Sequence, residues 1–367
     1  RRRRRNSRAR ALREKLAEFE GAGVEGVVLD LRDNPGGLLN AAVEVADAFV
    51  DSGTIVSTVG RGAPREDSRA DASYQFPRVP LVVLADQGSA SASEIVAGAL
   101  RNLGRAVVIG RRTFGKGSVQ VLHERKAGAK ELALKLTIAQ YLTPGDVSIQ
   151  SVGVSPDLET LPVLVREEYV SYFGRGRFDL LREESLASHL KSDRARAQTS
   201  PHGPLYFLSQ GSLEKDAKGK KPATADGDAR TDLLLDDPEV RVARDLVLWA
   251  PSSDREDILS RLDEFVKSQQ ATEEKRIEES LAVRDIDWSS GTKPAAGTGA
   301  RLRVDVRSDK PRNTILGGEN GVVTVTVTND GDAPAYQVRA ITESDYRYFH
   351  ERELIFGRID PGKSRTY

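Results

Sequence analysis

The sequence predicts an α/β core on a mainly parallel sheet, followed by a helical region and then the start of an all-β domain. Three observations carry this. Residues 9–109 alternate helical and strand-like patterns, as βα units do. The two Gly-rich turns in that stretch leave strands at their carboxyl ends, where open parallel sheets bind ligands. After residue 300 the apolar period becomes two, with turn signals at Asn329-Asp330-Gly331-Asp332 and Pro361-Gly362.

Taken in order, Ala9 to Glu20 places Leu12, Leu16 and Phe19 on one helical face, and Gly21 and Gly23 stop it. Val24 to Leu31 is a strand whose near-continuous apolar middle fits a sheet covered on both sides. Asp30 to Gly37 is a turn, Leu38 to Val50 a helix, Thr54 to Val59 a strand and Arg61 to Pro77 a polar loop. Leu81 to Ala85 is a strand, Ser93 to Leu103 a helix and Ala106 to Ile109 a strand. Glu131 to Tyr141 alternates as a strand paired beside Val119 to Glu124.

From about Leu161 to Phe178 the pattern turns helical. Asp237-Pro238-Glu239 starts a helix through Trp249 with Val240, Ala243, Val247 and Leu248 as its apolar face, and Arg255 to Val283 reads as one long charged helix. Arg301 to Val306, Gly321 to Thr328 and Ala335 to Ile341 are strand-like, a spacing that suggests an immunoglobulin-type β-sandwich. The expected organisation is therefore a disordered basic end over 1–8, the core over 9–165 and a helical region over 166–288 with a mobile loop at about 192–230. A linker over 289–300 and a partial sandwich over 301–367 complete it.

Composition narrows the function. Lys plus Arg equals Asp plus Glu at 55 each, and the basic run Arg1 to Arg5 has no basic aromatic pattern after it, so neither nucleic acid nor a membrane surface is indicated. With no Cys in 367 residues, thiolate catalysis and Cys-based metal sites are excluded. No apolar run reaches membrane-spanning length. The absence of Met, even at position 1, reads as a fragment of a longer protein.

Chemistry concentrates at Gly88-Ser-Ala-Ser-Ala-Ser-Glu94, between a strand and a helix. Small residues there let the backbone bend sharply and leave a hydroxyl uncovered, as a nucleophile needs, and helix N-terminal amides can bind an oxyanion. The same residues also suit a plain N-cap turn. Of the four histidines only His123 lies in the core, with no Asp or Asn pattern to orient it. A lysine base is the recorded alternative, and burial has to hold such a lysine well below its ordinary pKa of ~10.4. Lys116, between Gly115 and Gly117 and after Thr113-Phe114, fits best, although an exposed loop lysine would look the same.

Five ordered blocks decide between these readings: Leu29-Asp-Leu-Arg-Asp-Asn-Pro-Gly-Gly37, Gly88 to Ile95, Arg105-Ala-Val-Val-Ile-Gly110, Thr113-Phe-Gly-Lys-Gly-Ser-Val-Gln120, and the stretch holding Leu134 to Ala139, Tyr141 to Pro144 and Gly153-Val-Ser-Pro-Asp157. Together they resemble the catalytic core of the C-terminal processing, or tail-specific, serine peptidases. That resemblance implies Ser91 as nucleophile and Lys116, 25 residues later (116 minus 91), as its base. It also implies Gln120 as the residue orienting the lysine, and the N–H groups of Gly37 and Ala92 as the oxyanion hole.

The same resemblance implies a core related to the crotonase and ClpP folds, with no metal and no cofactor. The implied substrates are proteins or peptides with exposed C-termini, bound as an added strand, and the implied place is the periplasm or envelope of a bacterium. Ser89 and Ser93 become turn and cap residues, and Asp30 and Arg32 hold the turn. Family members carry a PDZ domain before the core, whereas only Arg1 to Arg8 precede the first helix here. A non-catalytic peptide-binding or scaffolding module, with a protein partner on the sandwich, is the rival reading.

Overall fold

The computed structural model describes residues 7–60, 62, 64–71, 76–127, 130–167, 169–172, 182–186, 190, 192, 200–209, 212, 236–291, 298–316, 319–345, 349–350 and 352–367. The expectations for the basic end, for most of the 192–230 loop and for the middle of the 289–300 linker fall outside these residues. The chain divides into two compact units, one of Arg1–Leu161, Phe178–Leu205 and Arg230–Gln269, the other of Pro162–Arg177, Tyr206–Ala229 and Gln270–Tyr367.

The first unit is built on a parallel sheet. Strand β1 (Val27–Asp30) pairs with β4 (Leu81–Ala85), β4 with β5 (Val107–Gly110), and β5 with β9 (Leu158–Val165), all parallel. Its central strands β4 and β5 carry no polar side chain and are buried throughout, because both faces are covered. Leu81, Val83, Ala85 and Val108 pack with Leu16 of α1 (Ser7–Ala22), Ala42 and Ala46 of α2 (Leu39–Asp47), and Ile95 and Leu100 of α3 (Ala92–Asn102). Val82, Leu84, Val107 and Ile109 point the other way, against Val242, Ala243 and Leu246 of α4 (Pro238–Trp249), Ile258 of α5 (Arg255–Ser260) and Phe265 of α6 (Leu262–Ala282). A second, antiparallel sheet runs β3 (Glu66–Arg69), β2 (Thr54–Gly60), β7 (Lys130–Thr143), β6 (Ser118–Ala127), with β8 (Val147–Ser148) on β7. The β6–β7 hairpin is the one expected, while β3 is polar and largely exposed and gives no apolar signal.

Three expectations are corrected. The stretch from Leu161 is strand, not helix: Leu158–Val165 buries alternate residues around Pro162, which suits a strand and would interrupt a helix. The buried face of α4 is Val242, Ala243, Leu246 and Val247, with Leu248 exposed, because the residues that meet the sheet decide which of several apolar faces turns inward. The helix expected over 255–283 breaks at Arg261 and buries Ile258, Leu262, Phe265, Ile277 and Leu281 beneath its charged face.

Asp157 ties the first unit together. Its carboxylate accepts from Arg101 Nε of α3 at 2.9 Å, Arg255 Nη2 of α5 at 2.6 Å and the Val108 amide of β5 at 2.9 Å.

In the second unit Val163, Val165, Val170, Tyr172, Leu208, Ile277, Leu281 and Trp288 form one cluster, into which Ile355 packs. Beyond it, β10 (Leu302–Ser308), β11 (Val323–Asn329) and β14 (Ser364–Thr366) make one antiparallel sheet, and β12 (Ala335–Ile341) pairs antiparallel with β13 (Glu353–Ile359). Val325 and Val327 share a core with Val338, Leu354 and Phe356, which joins these two sheets.

Candidate active site

Two turns leave the carboxyl ends of the paired strands β1 and β4, so their first residues start side by side. Asp86, directly after β4, locks them: its Oδ1 accepts the amides of Asp33 (3.0 Å), Gly88 (3.0 Å) and Ser89 (3.1 Å). Ser89 Oγ donates to the Leu31 carbonyl at 2.7 Å and accepts from the Asp86 amide at 3.0 Å. The Ala90 amide donates to the Asn34 carbonyl at 3.0 Å.

Gly36 makes the closest approach. At φ +89° a Cβ on it would sit 2.4 Å from the Ala90 carbonyl oxygen and 2.7 Å from the Ala92 nitrogen, both backbone. Gly36→Ala is therefore expected to push the two turns apart and to lower kcat by roughly tenfold or more, measured by steady-state peptide hydrolysis. Wild-type kcat in that variant would show that this contact does not matter.

Ser91 precedes α3 with φ 55° and ψ −113°, a backbone conformation usually left to glycine. A strained strand-to-helix turn of this kind lifts the nucleophile clear in α/β hydrolases. The neighbouring serines are hidden, Ser89 at 0% exposure and Ser93 at 4%, while Ser91 is half-buried. No acceptor among the described residues takes the Ala92 N–H, and Gly37 is exposed with open space on its Cβ side.

Glu94 joins this turn to the lysine loop. Its carboxylate is fully buried, and Oε2 accepts the amides of both Ser91 and Lys116 at 2.8 Å each. Oε1 accepts from Thr113 Oγ1 at 2.6 Å and the Gly115 amide at 2.7 Å. Burial pushes the Glu94 pKa up to about 7, against these four donors, which pull it down.

The rest of the loop is held by backbone bonds from Thr113 to Val154, Phe114 to Ser89 and Ser151 to Gly115. Lys116 is half-buried. Gln120 is exposed, and its amide donates to Thr137 Oγ1 at 3.3 Å. His123 is exposed on β6. Arg32 binds Asp30 and reaches Asp237 and Glu239 at the start of α4, so this pair braces the turn, as expected.

The structure thus places the turns holding Gly37, Ser91 and Ala92 together and ties the Lys116 loop to them, while Gln120 is bonded elsewhere. Sequence reasoning missed three residues that organise the site: Asp86, Glu94 and Gln150, whose Oε1 accepts the Gly117 amide at 3.0 Å. Glu94 was marked by its place three residues after a Ser N-cap, the capping-box pattern. Asp86 had only its position after the strand, and Gln150 had no signal.

A family model described as Peptidase family S41 matches residues 5–160. A carboxyl-terminal-processing protease of Picosynechococcus sp. is 41% identical over 185 residues, 50% of this chain and 42% of that protein. A carboxy-terminal-processing protease of Bartonella bacilliformis is 45% identical over 174 residues, 46% of this chain and 37% of that one. Among solved structures, a photosystem II D1 C-terminal processing protease is 39% identical with a TM-score of 0.39, covering 42% of this chain and 40% of that chain. The chain thus spans about two fifths of the length of these curated relatives. Among the described residues no helix is long and apolar enough to cross a membrane, and no group of three or more His, Asp or Glu could hold a metal ion.

Proposed function

We propose that this chain is the catalytic part of a serine endopeptidase that cleaves proteins near their C-termini by a Ser-Lys mechanism. The observation that carries the reading is the shared acceptor: one buried oxygen, Glu94 Oε2, takes the amides of both Ser91 and Lys116 and so fixes the two in one frame. Ser91 Oγ attacks the scissile carbonyl and its proton passes to Lys116 Nζ, which returns it to the leaving amine. Water then hydrolyses the acyl-enzyme by the same route. The Gly37 and Ala92 amides take the charge that develops on the carbonyl oxygen. Gln120 is assigned to orienting Lys116, and its long, exposed bond to Thr137 is one it can exchange.

The substrate binds as an added strand, read through its main chain. We take the first unit as a crotonase/ClpP-like core working in a bacterial envelope. The strands after residue 301 we take as an immunoglobulin-type sandwich offering a surface to a protein partner.

The test is to incubate the protein with an unfolded substrate bearing an apolar C-terminal tail and to read the products by intact mass. Cuts confined to the C-terminal region are expected. Stoichiometric capture without cleavage would overturn the reading in favour of a peptide-binding module.

A further inference from the structure

The loop that carries Lys116 is gripped from a segment beyond residue 160, where the family match ends. The Glu183 amide, in a short helical turn (Glu183–Ser185), donates to the Phe114 carbonyl at 3.1 Å. Gln150 makes the second grip. Its Oε1 accepts the Gly117 amide at 3.0 Å, and its Nε2 donates to Glu183 Oε1 at 3.2 Å and to the Leu190 carbonyl at 3.1 Å. Ser151 Oγ donates to the same Leu190 carbonyl at 3.0 Å, and Arg112 Nη2 donates to Glu184 Oε1 at 3.1 Å.

Gln150 is fully buried, and its orientation has one solution. A carboxylate and a carbonyl only accept, so both must face the NH2, which leaves the oxygen for the Gly117 N–H. Glu183 and Leu190 thereby decide where Gly117 sits. Glu94 holds Gly115 and Lys116 on the near side of the loop; on the far side the Tyr141 amide holds the Gly117 carbonyl at 2.7 Å, and the Gly117 N–H is held by Gln150. Glycines flanking a lysine give the loop freedom that such bonds must remove.

We propose that Glu183 is a positioning residue for the peptidase reaction: acting through Gln150, it and the strap formed by Arg182–Leu186 and Leu190 hold the loop so that Lys116 reaches Ser91. This rests on the Ser-Lys reading, and the strap has a readout that does not. Hydrogen–deuterium exchange over Gly115 to Ser118 quickens in Glu183→Ala and returns to wild-type rates in Glu183→Gln, whose amide oxygen still accepts from Gln150. In turnover of a tailed substrate, Glu183→Ala loses kcat by roughly tenfold with KM within about twofold, and Glu183→Gln restores it. Glu184→Ala, which cuts the pair with Arg112, moves both readouts the same way by less and serves should Glu183→Ala fold poorly. Unchanged loop exchange in Glu183→Ala, or exchange that Glu183→Gln leaves fast, overturns the strap. If the exchange responds as stated but the wild-type protein turns over nothing, the strap stands and the peptidase reading falls.

Discussion

Ser91→Ala is expected to lower kcat on the order of 10³-fold or more while leaving the thermal unfolding midpoint at or above that of the wild type. Ser91 is half-buried, and the turn is held by the Ser91 amide and by Asp86, Ser89 and Glu94. Lys116→Ala is expected to match it in turnover, since the loop is fixed through the Lys116 backbone. Ser89→Ala should do the reverse. Its hydroxyl bridges the two turns from a fully buried position, so losing it leaves the Leu31 carbonyl and the Asp86 amide short of a partner and costs about 1–3 kcal/mol. Ser91→Gly separates strain from chemistry. Glycine accepts φ 55° freely, so this variant should be as inactive as Ser91→Ala but more stable than it by about 1 kcal/mol. Equal activity of Ser91→Ala and the wild type would remove Ser91 as nucleophile.

The contrast among three serines shows what the sequence could and could not reveal. Nothing in the alternation of Ser and Ala distinguishes them; the 25-residue distance to Lys116 and the resemblance single out Ser91. Burial then separates them physically, because Ser89 and Ser93 are covered by the sheet end and the helix. The strand Leu81–Ala85 was legible to the residue because a five-residue apolar run between Pro80 and Asp86 leaves no other register. The start of α4 was legible because Asp237 and Pro238 are strong local signals, and Asp237 does accept the Glu239 and Val240 amides. Its buried face was not, since Val240, Val242, Leu246 and Leu248 surround the helix and only the sheet beneath selects among them. The strap was illegible for the same kind of reason. Gln150 and Glu183 are 33 residues apart, and no periodicity or motif brings them together.

Glu94 is expected to give stability and activity opposite responses to pH. Its ordinary pKa is 4.5 and burial raises it to about 7, so between these values the folded protein keeps a proton that the unfolded chain has lost. More protons bound when folded means that stability falls as pH rises through this window, by on the order of 3 kcal/mol once the group is fully ionised. Activity runs the other way. Ionised, the carboxylate has two acceptor oxygens for the amides of Ser91, Gly115 and Lys116 and the hydroxyl of Thr113. Protonated, the carboxyl can place its hydrogen only on the Oε1 side, where the Thr113 hydroxyl can turn to accept it but the Gly115 amide cannot, so the grip on the lysine loop weakens. Turnover should therefore climb through about pH 7 while the urea midpoint declines from pH 5 to 8. Glu94→Gln supplies the control. It cannot ionise, so the Glu94 share of the pH slope should vanish; its NH2 must oppose at least the Gly115 amide, so kcat should drop roughly 10²-fold at every pH. Urea unfolding of both proteins at pH 5 and pH 8 decides the matter, and parallel stability profiles would remove Glu94 as the titrating link between the two halves of the site.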